Sequence, residues 1–241
     1  MEVIVCKTAE EASRLAATLI TDALQTTPAL VLGLATGSTP LLLYRELIKA
    51  CQSGADFSRV RTFNLDEYCG LPPEHPHSYR TFMNAHLFSN LNIRPENTHV
   101  PDGTADNLPA LCAAYEAAIA AAGGIDIQVL GIGSNGHIGF NEPGSPLDSR
   151  TRRVTLTEQT LRDNTRFFSA REEVPRYAIS MGVGTILEAK KCVLLGFGAN
   201  KARAIKAAIE GPVSPDSPAS ALQVHRDTVV FLDEAAAAKL Q

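Results

Sequence analysis

Residues 125–145 read IDIQVLGIGSNGHIGFNEPGS. The first part, IDIQVLGIG (125–133), is the most central-looking strand of the chain. The second part, SNGHIGFNEPGS (134–145), is a glycine-rich loop that carries Asn135, His137, Asn141 and Glu142. A strand that runs into a polar, glycine-rich loop is the usual way an α/β sheet presents chemistry at its carboxyl edge.

Working outward, the same alternation repeats. Upstream, EVIV (2–5), ALVLGL (29–34) and VRTFNL (60–65) read as strands, and helices are predicted over 8–25, 40–52, 78–90 and 106–122. ALVLGL has the unbroken apolar character of a parallel strand covered on both faces. Thr8 followed by Glu11 forms a capping box for the first helix. Downstream, VTLT (154–157), YAISM (177–181), KCVLLGF (191–197) and TVVFL (228–232) supply further strands, with helices near 158–165, 183–188, 199–210 and 234–240. The pattern predicts an α/β protein: an open, mostly parallel, doubly wound (Rossmann-like) sheet with helices on both faces, in a single domain over 1–241.

Composition fits that reading. The 241 residues are 45% hydrophobic and 20% charged, close to the average soluble globular chain. The net charge is −4, from 22 basic and 26 acidic residues, so the basic stripe of a nucleic-acid binder is absent. No apolar run reaches the ~18 residues of a membrane span, and MEVIVCKTAEEAS is not a secretory signal. The expectation is no nucleic-acid partner, no membrane and a cytoplasmic location. The cysteines, Cys6, Cys51, Cys69, Cys112 and Cys192, are odd in number and form no CxxC, as expected of free thiols in a reducing compartment.

Four turns that follow strands carry the candidate chemistry. ATGSTP (35–40) offers Thr36, Gly37, Ser38 and Thr39, with Thr39 a candidate N-cap and Pro40 at the first helical position. It is either an ordinary capped turn or an anion site built on free N–H groups. It is not a P-loop, because GxxxxGK followed by Ser or Thr is missing. Asp66 and Glu67 after VRTFNL are either a helix N-terminal charge pair in a solvated turn or a catalytic carboxylate. His137 and Glu142, five residues apart, are either structural or an oriented acid/base pair in which the carboxylate fixes the imidazole tautomer. Lys201, in the first turn of a predicted helix, opposes the helix dipole, a placement that a bound anion would neutralise. Arg166 in NTRFF is a second candidate for gripping a phosphate through its planar fork. The alternative for both is an exposed surface cation. No zinc set and no dinucleotide fingerprint is present, so neither metal nor cofactor is expected. Together these turns point to acid/base chemistry on a small phosphorylated substrate.

LGLATGSTP (32–40), TFNLDEYCGL (62–71), HPHSYRTFM (75–83), LGIGSNGHIGFNEPGS (130–145), SRTRRVTLT (149–157), VPRYAISMGVGTIL (174–187) and GFGANKA (196–202) resemble the glucosamine-6-phosphate deaminase family, in order and across nearly the whole chain. The resemblance implies conversion of D-glucosamine 6-phosphate and water to D-fructose 6-phosphate and ammonia, that is, hydrolytic cleavage of a carbon–nitrogen bond with isomerisation. It implies a place in amino-sugar catabolism and N-acetylglucosamine utilisation, and no cofactor. It implies Asp66 as the base between C2 and C1, His137 as the group that assists ring opening, and Glu142 with Asn135 as its orienting partners. Thr36, Gly37, Ser38, Thr39, Arg166 and Lys201 would surround the phosphate. Asn135 stands where some members have Asp, which leaves Glu142 alone to carry the charge behind His137.

Members regulated by N-acetylglucosamine 6-phosphate carry a longer C-terminus and a basic pair near SRTR. Here Arg152 is present, but Val154 stands where those members have Lys. Hyperbolic kinetics and a monomer or small homo-oligomer are therefore expected. The segment 145–175 is predicted to form a lid over the site. Two other readings remain: a 6-phosphogluconolactonase-like hydrolase on the same scaffold, and a non-catalytic sugar-phosphate sensor. The sensor would need the cradle without Asp66 and His137 together, and would normally carry a DNA-binding module.

Overall fold

The computed structural model describes residues 1–165, 168 and 174–241, without the Asp163 side chain. The main sheet has seven strands, all paired in parallel. In chain order they are β1 (Glu2–Cys6), β2 (Val31–Leu34), β3 (Arg61–Asn64), β5 (Thr98–His99), β6 (Ile127–Gly131), β9 (Lys191–Gly196) and β10 (Thr228–Asp233). Their spatial order is β1-β10-β9-β6-β2-β3-β5.

Consecutive apolar residues of the central strands serve opposite faces, which is why those strands read as unbroken apolar runs. Val129, Leu195 and Phe231 join the core under α1 (Ala9–Thr26), α2 (Leu41–Gln52) and α3 (Tyr79–His86). Leu130, Leu194 and Leu232 join the core under α4 (Leu108–Ala121), α6 (Val183–Leu187), α7 (Ala202–Glu210) and α8 (Glu234–Ala237). The expected doubly wound arrangement is thus present. No helix among the described residues is long and apolar enough to cross a membrane.

Chain order reverses between β2 and β6. From β2 the chain builds outward through β3 to β5, then returns to place β6 on the other side of β2. The carboxyl ends of β2 and β6 flank the switch point, where doubly wound sheets open their ligand crevice. The 35–40 turn follows β2 and the 132–145 loop follows β6.

Part of the expected single sheet is a second one. β4 (Asp66–Tyr68), β7 (Arg152–Thr155) and β8 (Tyr177–Ser180) form an antiparallel sheet in the order β4-β8-β7. The transfer between sheets happens at Leu65. Its amide donates to Leu34 O of β2 at 2.9 Å, and its carbonyl accepts from Met181 N at 2.7 Å. Asp66, expected in a turn, is therefore a strand residue held in register with Ser180. Between β7 and β8, α5 (Glu158–Asn164) packs Leu161 with Tyr68, Phe140, Leu156 and Phe168 in a small third core.

Caps also differ in detail. Thr8 Oγ1 accepts from Glu11 N at 3.2 Å as expected, but Glu11 Oε2 returns to Lys7 N at 3.1 Å, one residue outside the cap. Pro40, not Thr39, occupies the N-cap of α2, and no side chain caps that helix.

Candidate active site

The loop after β6 holds its histidine by a tight backbone fold. Gly133 N donates to His137 O at 2.9 Å, and Gly136 N donates to Gly133 O at 3.1 Å. Gly136 and Gly139 have φ of +90° and +56°, which a side chain would resist. Gly133 is required by contact: a Cβ there would lie 2.3 Å from the His137 ring. The imidazole lies directly on the Gly133 backbone.

Glu142 stands behind that ring. Its Oε2 is 3.5 Å from His137 Nδ1 and accepts from Asn135 Nδ2 at 2.8 Å. Asn135 Oδ1 in turn accepts from His137 N at 3.2 Å. At 3.5 Å the His–Glu contact is longer than a good hydrogen bond, and His137 Nδ1 is buried without a hydrogen-bond partner among the described residues, so Glu142 acts on the ring through its charge at close range. Burial opposes the Glu142 charge, but His137, Thr160 and Asn135 outweigh it and hold the carboxyl down at about 2. Glu142 is therefore a permanent carboxylate at neutral pH.

Asp66 approaches from the second sheet. It is 6% exposed. Burial pushes its carboxyl up to about 8, helped by the neighbouring Glu67 charge. The backbone of the His137 loop closes over it: a Cβ at Gly139 would be 3.5 Å from Asp66 Oδ2 and 3.1 Å from Ser180 Oγ. Glu67 faces away. It accepts from Tyr68 N, Tyr79 N and Arg80 N at 2.8, 2.9 and 3.0 Å, and so anchors the start of α3.

The third component is the 35–40 turn. Gly37 has φ +91° with open space where a Cβ would be, so conformation and not room demands glycine. Lys201 ends a 3-10 turn (Ala199–Lys201) and occupies the N-cap of α7, one residue before the predicted first turn. The preceding Gly198 N is fixed by the Asp233 carboxylate at 2.9 Å.

These parts meet. Thr36 to Thr39, Asp66, His137 and Lys201 line one cleft of about 960 Å³ at the switch point. Asn135 and Glu142 lie behind His137 and do not line it. Arg166 lies outside the described residues. Within the expected lid, residues 152–155 are strand β7, while Thr160, Arg162, Asn164 and Phe168 line the cleft.

The sequence reading missed an aromatic wall. Tyr68 packs against Tyr79 (4.8 Å between centroids), Phe140 (5.6 Å) and Phe168 (5.6 Å, edge-on), and His77 packs on Phe168 at 4.6 Å. Tyr79 OH donates to Tyr68 OH at 3.3 Å, and Asn164 Nδ2 donates to the same oxygen at 2.8 Å. The available signal was Ser78, which caps α3 by accepting from Thr81 N at 3.0 Å and so fixes Tyr79 at the first helical position.

Switch-point cleft, small-residue turn and paired acid/base side chains define an α/β protein of the sugar-phosphate-handling kind. The family model described as glucosamine-6-phosphate isomerases/6-phosphogluconolactonase matches residues 6–231, and the chain belongs to that family. Among curated proteins, it is 56% identical to a glucosamine-6-phosphate deaminase of Hahella chejuensis (strain KCTC 2396), over all of this chain and 92% of the relative. It is 52% identical to one of Clostridioides difficile (strain 630), over all of this chain and 97% of the relative. A solved structure of a monomeric glucosamine-6-phosphate deaminase superposes with a TM-score of 0.97 at 46% identity, covering 99% of this chain and 100% of that one. A 6-phosphogluconolactonase from Trypanosoma brucei reaches a TM-score of 0.81 at 19% identity, covering 100% of this chain and 98% of that one, a likeness of fold alone.

Proposed function

We propose that the chain deaminates and isomerises D-glucosamine 6-phosphate, releasing D-fructose 6-phosphate and ammonia. The observation that carries this reading is the convergence of Asp66, His137 and the Thr36–Thr39 turn on one cleft. The phosphate sits in the turn with Lys201 beside it, and supplies remote binding energy that places the sugar carbons. His137, aimed by Glu142 and Asn135, exchanges a proton with the ring oxygen and opens the pyranose. Asp66 takes the C2 proton and returns a proton at C1, leaving an iminium at C2. Water adds to C2, the C2–N bond breaks, and ammonia departs with a proton. The overall change is hydrolysis of a carbon–nitrogen bond.

The electrostatics support an amino sugar over a neutral one. Burial, helped by the Glu67 charge, keeps Asp66 protonated near neutral pH. An incoming C2 ammonium supplies the positive charge that favours the carboxylate, so this substrate primes its own base. A lactone offers no such charge.

A monomer with hyperbolic kinetics is the matching proposal for assembly. It is supported by the likeness to the monomeric deaminase and by Val154 on β7, where the expected basic partner of Arg152 is missing. Five free cysteines support a reducing, cytoplasmic location, and the proposed substrate would place the enzyme in amino-sugar catabolism. The test is ammonia release from glucosamine 6-phosphate, coupled to a fructose 6-phosphate assay. Turnover of 6-phosphogluconolactone without ammonia release would overturn the reading.

A further inference from the structure

Glu142 is held from two directions. Its Oε2 is bound by Asn135 from the same loop. Its Oε1 is bound from α5: Thr157 Oγ1, at the N-cap of that helix, donates at 3.1 Å, and the Thr160 hydroxyl donates in a short contact. Thr160 is 3% exposed. A carboxylate gripped by one oxygen from a helix and by the other from a loop cannot rotate without losing a bond on each side. Its Oε2, the atom facing His137 Nδ1, is aimed in part from α5.

The other end of α5 reaches the opposite part of the cleft. Asn164 donates to Tyr68 OH, Tyr79 donates to that same oxygen, and the Tyr79 phenol meets the side chain of Thr36 in the 35–40 turn. One short helix is bonded at one end to the support of the imidazole and is linked at the other to the turn that receives the phosphate.

We infer that Thr160 is a positioning residue: through Glu142 it sets the aim of the His137 imidazole, and through α5 it ties that aim to the phosphate end of the cleft. The inference rests on the function proposed above for the proton transfer it assigns to His137. Thr160 lies outside the glycine-rich loop and borders the cleft, but its hydroxyl is committed to Glu142, and through that carboxylate it reaches His137.

The experiment compares wild type, Thr160→Val, which keeps the shape and deletes the hydroxyl, and Thr160→Ser, which keeps the hydroxyl. Steady-state ammonia release and the ¹⁵N shifts of the His137 ring are measured on each. Thr160→Val is expected to lower kcat about tenfold to a hundredfold, the range for losing a hydrogen bond to a charged group, with KM within about twofold. Its His137 resonances move, and Thr160→Ser restores both readouts. If Thr160→Val does not fold, Thr160→Ala is read in the same way. Turnover and ring shifts unchanged in the variant, a loss confined to KM, or a serine variant as impaired as valine would each overturn the inference. A wild type that releases no ammonia defeats the proposed function instead, and the ring shifts then still decide the role of Thr160.

Discussion

Asp66 and Glu67 are neighbours on β4, and their carboxyl groups lie on opposite sides of it. Asp66 lines the cleft, whereas Glu67 accepts two backbone N–H groups at the start of α3 and one from Tyr68 on its own strand. Strand alternation separates two acids that a turn would have left side by side. One residue is thus available for chemistry while the next positions the helix whose first residue, Tyr79, forms part of the wall.

That division gives the first prediction. Asp66→Asn should lower kcat by about 10²–10⁴-fold while the protein stays folded and still binds substrate. Glu67→Gln weakens three bonds to a buried carboxylate, and should lower unfolding stability by on the order of 1–3 kcal/mol. Urea denaturation and kinetics on both variants check the contrast. Near-normal turnover by Asp66→Asn would remove it as the base.

The raised carboxyl of Asp66 predicts a pH signature in stability. With a folded value of about 8 and an unfolded value near 3.9, the folded protein keeps a proton that the unfolded chain has released. The unfolded state therefore binds fewer protons between those limits, and stability falls as pH rises through the window, by up to about 1.4 kcal/mol per pH unit. Asp66→Asn should match wild type near pH 4 and exceed it near pH 8 in denaturant titrations. In activity, the acid limb of kcat/KM, which reports the free enzyme, should lie near 8. The limb of kcat should lie lower, because the bound ammonium favours the carboxylate. Coincident limbs would contradict this account of priming.

Much of this frame is legible in the sequence, for a physical reason. Strands such as KCVLLGF are buried on both faces and must be apolar throughout, and the turns after them must be small to let a ligand approach. What escaped was short or polar. β4 is three residues, Asp66–Tyr68, with no apolar alternation to betray it, and β5 is two. VTLT and YAISM look like main-sheet strands, because pairing partner and direction are not written in composition. Glu67 draws its role from amides 12 and 13 residues away. Thr160 and the wall of Tyr68, Tyr79, Phe140 and Phe168 come from distant segments, and no spacing rule joins them. The glycine-rich loop 134–145 announces His137 and Glu142, but half of the support of Glu142 comes from α5.

Gly133 gives a sharper test of geometry than any catalytic substitution. A methyl at this position would lie 2.3 Å from the imidazole, which must move. Gly133→Ala leaves the acid/base groups in place chemically and displaces one of them. Because a misplacement of ~1 Å can cost about 10²-fold in rate, kcat should drop by that order with the circular dichroism spectrum unchanged. Full activity in this variant would mean that the position of His137 is not critical.

Lys201 separates binding from chemistry. It lines the same cleft as the Thr36–Thr39 turn, Asp66 and His137. Lys201→Ala should raise KM for glucosamine 6-phosphate by about tenfold, as expected for losing one charge-assisted bond to phosphate, with kcat little changed. Inhibition by inorganic phosphate should weaken in parallel. A fall in kcat at constant KM would assign Lys201 to the reacting end instead.

The lid expected over 145–175 is tested by hydrogen exchange. Its β7 part is paired into a sheet with β8, so any movement on binding falls to the segment that follows. α5 is attached to the site by side chains: Thr157 and Thr160 on Glu142, and Asn164 on Tyr68. Such attachments open at lower free energy than a strand in a ladder, which makes this helix the natural moving part. Saturating sugar phosphate should therefore slow amide exchange in Glu158–Asn164 by at least about tenfold, while β7 and β8 change little. Loss of the Thr160 hydroxyl should reduce that ligand-dependent protection, because the helix then keeps only one of its two grips on Glu142. Equal exchange in α5 with and without ligand would show that the helix is a fixed wall and that closure does not contribute to excluding water from the intermediate.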